Sequence, residues 1–162
     1  TPAIKIRSRK AEATNAFVLE GIHELPADSL VLIEDSDADA RVVVRAIEKN
    51  NLDVALTHFG DVERASEFLN AHKEPDTRRI VLLDLNLPGS GGLDLLKRIK
   101  SSETLKHTPV VVWTTSDQPS DVSDAYANGA NGFIVKPMGL SDATQCIADI
   151  CHYWFERSVL PK

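Results

Sequence analysis

From Ser29 onward, short apolar runs alternate with longer amphipathic stretches. Leu30-Val31-Leu32-Ile33 is continuous, short and partly β-branched, which predicts a strand buried on both faces rather than a helix. Ala40, Val43, Val44 and Ile47 then recur at helical spacing, so an amphipathic helix follows with Ser36 or Asp37 as its cap. The same alternation continues with strands expected over 54–59, 80–83, 110–113 and 133–135. Asp61 caps a second helix that buries Val62, Ala65, Phe68 and Leu69. The Pro88–Gly92 turn opens a third through Leu95, Leu96 and Ile99. Val122 and Ala125 mark a short fourth helix closed by Asn128-Gly129. Ser141 is expected to cap a long last helix, with Ala143, Ile147, Ile150, Cys151 and Trp154 on its buried stripe. Before Ser29 the apolar positions Phe17, Val18, Leu19 and Ile22 suggest a short helix or a packed segment ended by Pro26.

Five strands alternating with five helices imply a doubly wound (βα)5 domain with a five-stranded parallel sheet covered on both faces. Residues 29–162 make up this domain and 1–28 an N-terminal extension, a tail or short helix. A ligand is expected at the carboxyl ends of the strands. Those ends carry Glu34-Asp35, Asp84, Thr114-Thr115 and Lys136-Pro137. Crowded carboxylates repel one another unless a cation relieves them, and oxygen-only donors select a hard, partly hydrated ion such as Mg²⁺. An Asp beside Mg²⁺, a Lys ammonium and a Thr hydroxyl is set up to attack phosphorus and become an aspartyl phosphate. Asp37 and Asp39 read instead as the solvated first turn of a helix, where acids suit the macrodipole.

Composition narrows the function. The 162 residues hold 18 Lys plus Arg against 24 Asp plus Glu, a net charge of −6, which argues against a general nucleic-acid binder. The charge is uneven: Lys5, Arg7, Arg9 and Lys10 crowd the first ten residues without an acid, and read as a solvated tail. No apolar run is long enough for a bilayer and no secretory leader is evident, so no membrane partner is expected and cytoplasmic residence is the default. Cys146 and Cys151 have neither redox nor zinc spacing and are expected to be reduced and to face the core. The five histidines lack metal-ligand spacing, and the glycines after Pro88 form neither a dinucleotide fingerprint nor a P-loop.

Four segments together carry a family resemblance: Val31-Leu-Ile-Glu-Asp35, Val81-Leu-Leu-Asp-Leu-Asn-Leu-Pro88, Val110-Val-Val-Trp-Thr-Thr-Ser116 and Gly132-Phe-Ile-Val-Lys-Pro137. They resemble the receiver domains of two-component response regulators, a flavodoxin-like, chemotaxis-receiver-like fold, from about Ser29 to Val159. The intervals from Asp84 to Thr114 and from Thr114 to Lys136 agree with that family. The resemblance implies that Asp84 is the phosphoacceptor and that Glu34, Asp35, Asp84 and the backbone carbonyl of Asn86 hold Mg²⁺. It further implies that Thr114, the Thr115 backbone N–H and Lys136 contact the phosphoryl group, and that Thr114 and Phe133 form the switch pair. The Asp-Leu-Asn-Leu-Pro-Gly segment, Thr114-Thr-Ser116, the polar loop from His72 to Arg79 and the ending from Tyr153 to Pro161 are similar to stand-alone receivers that serve bacterial phytochromes.

On this reading the domain accepts phosphate from a sensor histidine kinase, which the closer likeness implies is of phytochrome type, and signals to another protein by contact. It is not an enzyme except toward its own Asp. The alternatives are a phosphate-shuttling relay intermediate and a Mg²⁺-dependent aspartyl-nucleophile phosphatase, although that class wants Asp-x-Asp where this chain has Asp84-Leu85-Asn86. No output domain fits after Val159, so a downstream protein partner is expected. The C-terminal aromatics leave two readings open: closure of the core or of the N-terminal segment, or a patch for homodimerisation or kinase docking. Two residues depart from the family pattern, Trp113 before the switch threonine and β-branched Thr115 after it. The second predicts slow autodephosphorylation.

Overall fold

The computed structural model describes residues 4–7, 28–73, 78–89 and 91–161. Phe17, Val18, Leu19 and Ile22, expected to form a short helix or a packed segment, lie outside the described residues. The five expected parallel strands are present as β2 (Asp28–Ile33), β3 (Ala55–Phe59), β4 (Arg78–Leu83), β5 (Val110–Thr114) and β6 (Gly132–Val135). A sixth, β1 (Ile4–Arg7), precedes them and pairs antiparallel with β3. The sheet order is β1-β3-β2-β4-β5-β6. The basic start, expected as a solvated tail, is therefore an edge strand over Ile4–Arg7. Ile4 and Ile6 alternate with Lys5 and Arg7, a period-two pattern that the charge count obscured.

The helices are α1 (Asp37–Lys49), α2 (Val62–Ala71), α3 (Gly91–Ser101), α4 (Pro119–Ala127) and α5 (Leu140–Cys151), followed by a π-helical segment, His152–Arg157. Ser36 caps α1 by accepting from the Asp39 N–H at 3.2 Å, and Asp61 caps α2 by accepting from the Arg64 N–H at 2.8 Å. Ser141 does not cap α5: the helix already begins at Leu140, and Gly139 occupies the cap position without a side-chain bond.

Two apolar layers sandwich the sheet. Leu30, Leu32, Ile80, Leu82, Val111 and Trp113 pack with Val43 and Ile47 of α1 and Ile147 and Cys151 of α5. On the other face Val31, Ile33, Val81, Leu83 and Val112 meet Ala65, Leu69, Leu95, Leu96, Ile99 and Ala125. Each fully buried Val, Leu or Ile contributes about 1.5–3 kcal/mol, so these stripes dominate the stabilisation. Val44, Phe68 and Val122 of the expected stripes are only half-buried.

The C-terminal stripe changes phase. Past Cys151 the buried positions are Phe155 and Leu160 rather than Trp154, which is half-buried. The wider π turn, closed by the Ser158 N–H donating to the Tyr153 carbonyl at 2.8 Å, rotates the stripe. Arg78 clamps this turn to the sheet, donating to Asp28 Oδ1 and to the Phe155 carbonyl, both at 2.8 Å. Phe155 and Leu160 thus close the core, while Tyr153 and Val159 stay exposed. Cys151 is buried and Cys146 half-buried, both as free thiols. Among the described residues no helix is long and apolar enough to cross a membrane.

Candidate functional site

The sheet order reverses between β2 and β4, and the crevice at their carboxyl ends is where an open α/β sheet places its ligand. Glu34-Asp35 follows β2, Asp84 follows β4, Thr114 ends β5 and Lys136 follows β6. The ladder extends one residue past each strand. The Glu34 N–H donates to Phe59 O, the Asp84 N–H to Ile33 O and the Lys136 N–H to Thr114 O, at 2.9, 3.0 and 2.7 Å. These main-chain bonds fix the backbones from which the charged side chains project.

Lys136 is the hub. Its Nζ donates to Glu34 Oε2 at 2.5 Å, Asp39 Oδ2 at 2.8 Å and Asp84 Oδ2 at 3.0 Å, which uses all three of its protons. The ammonium also lies 4.8 Å from the centroid of the Trp113 ring. Burial works against the charge on Lys136, but the bonds to Asp39, Glu34 and Asp84 outweigh it and hold the amine above its ordinary value. Burial pushes the Glu34 carboxyl up, against the opposing pull of Lys136 and of the Ser36 N–H that donates to Glu34 Oε1 at 3.0 Å. His58 Nε2 sits 2.7 Å from the Glu34 carbonyl and braces the same loop.

Oxygen atoms of Glu34, Asp35 and Asp84 all lie within 4.8 Å of one another. Glu34 and Asp84 are buried and Asp35 is exposed, so the cluster opens to water on one side. Three carboxylates, no sulfur or imidazole donor and an open side fit a hard, partly hydrated divalent cation. The structure thus brings together Glu34, Asp35, Asp84 and Lys136, and Thr114 joins them through Asn86, which bonds both Asp84 and Thr114. Phe133 is half-buried on the opposite face of the sheet, against the cluster that includes Val112 and Ala125.

Three features escaped the sequence reading. Asp39, taken for a solvated helix-start acid, is bonded to Lys136 instead. Asn86, expected to act through its backbone carbonyl, uses other groups here: Nδ2 donates to Thr114 Oγ1 at 3.1 Å, and its N–H donates to Asp84 Oδ1 at 3.0 Å. Trp113, noted as a departure from the family pattern beside the switch threonine, presents its ring to the lysine. Its buried indole N–H finds no acceptor among the described residues, so the ring rather than the N–H makes the polar contact.

A family model described as the response regulator receiver domain matches residues 30–148. Response regulator Rcp1 of Synechocystis sp. is 34% identical over 139 residues, covering 84% of this chain and 95% of that protein. The probable methanogenesis regulatory protein FilR2 of Methanothrix harundinacea is 35% identical over 127 residues, 77% of this chain and 82% of its own length. Among solved structures, the phosphorylated cyanobacterial phytochrome response regulator RcpA superposes with a TM-score of 0.77 at 31% identity, covering 83% of this chain and 99% of that one. The Mn²⁺-bound form of Rcp1 gives 0.74 at 34% identity, with the same coverage.

Proposed function

The chain belongs to the response regulator receiver family, and on that premise we propose that it accepts a phosphoryl group on Asp84 from a histidine kinase and signals by protein contact. The observation that carries the reading is the convergence of a lysine ammonium and three clustered carboxylates on Asp84 at the sheet's switch point.

In the transfer, an Asp84 carboxylate oxygen bonds to phosphorus while the phosphohistidine P–N bond breaks. The bonding pair returns to the imidazole, which takes up a proton from solvent. Mg²⁺ held by Glu34, Asp35, Asp84 and the Asn86 carbonyl would offset negative charge on the transferring group. Lys136, already 3.0 Å from Asp84 Oδ2, donates to a phosphoryl oxygen. The Thr114 hydroxyl, which accepts from Asn86, turns its proton to another oxygen, and the Thr115 N–H takes a third. Movement of Thr114 toward the phosphate opens space for Phe133, shifting the population of the surface formed by α4, β6 and α5. Exposed Tyr126, Val135, Met138 and Leu140 give that surface an apolar character suited to a downstream protein or a second copy of the chain.

The kinase is of phytochrome type on this reading, supported by the likeness to Rcp1 and RcpA. Incubation with Mg²⁺ and acetyl phosphate should load one phosphate per chain, and Asp84→Asn should abolish it. Steady turnover of an external phosphate ester would favour the phosphatase reading instead. Faster transfer from a phytochrome-type kinase than from an unrelated histidine kinase tests the partner.

A further inference from the structure

Asp39 stands third in α1, after the cap Ser36, where an acid ordinarily answers the helix dipole or folds back to the cap. Its N–H does bond Ser36 Oγ, but its carboxylate turns away and meets Lys136 Nζ at 2.8 Å across 97 residues of sequence. Of the three acceptors around that ammonium, Glu34 and Asp84 belong to the oxygen cluster that fits a divalent cation, and Asp39 does not. The three also differ in setting: side-chain exposure is 1% for Glu34, 7% for Asp84 and 35% for Asp39.

We propose that Asp39 is a positioning residue that keeps Lys136 beside Asp84 when Glu34 and Asp84 turn their oxygens to the metal. The inference rests on the metal-dependent receiver reading above. Glu34 and Asp84 cannot give the same lone pairs to a divalent cation and to an ammonium, and the cation also repels the ammonium. Lys136 then loses two of three acceptors, and Asp39 with the Trp113 face is what remains. Held there, the ammonium has two protons free for phosphoryl oxygens. Without Asp39 the four-carbon stem lets it wander, because a lysine is a flexible point charge rather than a rigid fork.

Trp113 supplies a readout independent of phosphorylation, since its ring lies under the ammonium. The only other tryptophan, Trp154, lies in the C-terminal π turn, and Trp154→Phe isolates the Trp113 signal. In that background Mg²⁺ binding is followed by calorimetry and Trp113 emission by titration, for the parent, Asp39→Asn and Asp37→Asn. Asp37→Asn removes the same charge from the same helix turn, and the structure records no bond from Asp37 to Lys136. Saturating Mg²⁺ should change Trp113 emission at least about twofold more in Asp39→Asn than in the other two. Loading by acetyl phosphate should slow about tenfold or more in Asp39→Asn alone, the scale of losing the position of one reacting-site group. Equal emission changes in all three proteins, or an Asp37→Asn variant that behaves as Asp39→Asn does, would overturn the inference while leaving the receiver reading intact. No binding heat in the parent would overturn both.

Discussion

Gly92 is the position at which one added methyl group should damage the site most. It lies at the start of α3, and its N–H donates to the Leu85 carbonyl at 3.3 Å. A Cβ there would stand 2.1 Å from the Asp84 carbonyl oxygen, 2.7 Å from Leu85 Cα and 3.0 Å from the Asp84 carbonyl carbon. All three are backbone atoms that no rotamer change can move. Ordinary contact lies near 3.5 Å, so α3 or the strand end carrying Asp84 must shift by roughly 1 Å or more. Overpacking of this kind costs about 1–3 kcal/mol, and misplacing a reacting group by about 1 Å costs roughly a hundredfold in rate. Gly91→Ala is the matched control. Gly91 has φ +76 but nothing within 4 Å of an added Cβ, so its penalty is left-handed backbone strain of about 1–2 kcal/mol that does not bear on Asp84. Urea denaturation and acetyl-phosphate loading at saturating Mg²⁺ separate the two: both variants lose stability, and only Gly92→Ala loses loading rate out of proportion. Wild-type loading by folded Gly92→Ala would refute the claim that this helix packs directly on the acceptor's backbone.

Two further outcomes follow from local chemistry. Lys100 ties the end of α3 to the next loops by donating to Lys106 O, Thr108 O and Asn131 Oδ1, and burial pushes its amine down to about 8 from an ordinary 10.5. Between those values the unfolded chain binds more protons than the folded one, so this group makes stability rise with pH from about 8 to 10.5. The stability difference between the parent and Lys100→Met should therefore grow across that window, and a flat or falling difference would contradict the assignment. Thr115 is exposed beside Asn86, whose Nδ2 reaches Thr115 Oγ1 at 3.5 Å. Replacing it with Ala clears the approach of water to the acyl phosphate, so phosphate release should quicken several-fold, and an unchanged half-life would show that the methyl group does not screen it.

How far the site was legible follows from side-chain parity along the strands. Continuous apolar runs gave away β2, β4 and β5, because strands buried on both faces need no alternation. β1 was masked because its two isoleucines are interleaved with cations that dominate any charge count. Asp84, Glu34 and Lys136 could be found at strand ends from the sequence, but what surrounds Lys136 depends on which strands are neighbours. In the observed register Leu30, Leu32 and Glu34 share a face with Ile80, Leu82 and Asp84, and Trp113 lies opposite Ile134. Lys136, two residues beyond Ile134, returns to that same face and so comes diagonally over the Trp113 ring. Thr114 and Phe133 have the opposite parity and look toward α4, which divides the crevice into a charge-balancing side and a switching side. Since α1 and α5 cover the face of Glu34, Asp84 and Lys136, the first turn of α1 must descend onto the lysine. Asp39 is therefore five residues from Glu34 in sequence yet meets Lys136 only because β6 lies two strands beyond β4. Helix periodicity alone could assign Asp39 to solvent; the sheet order reassigns it to the site.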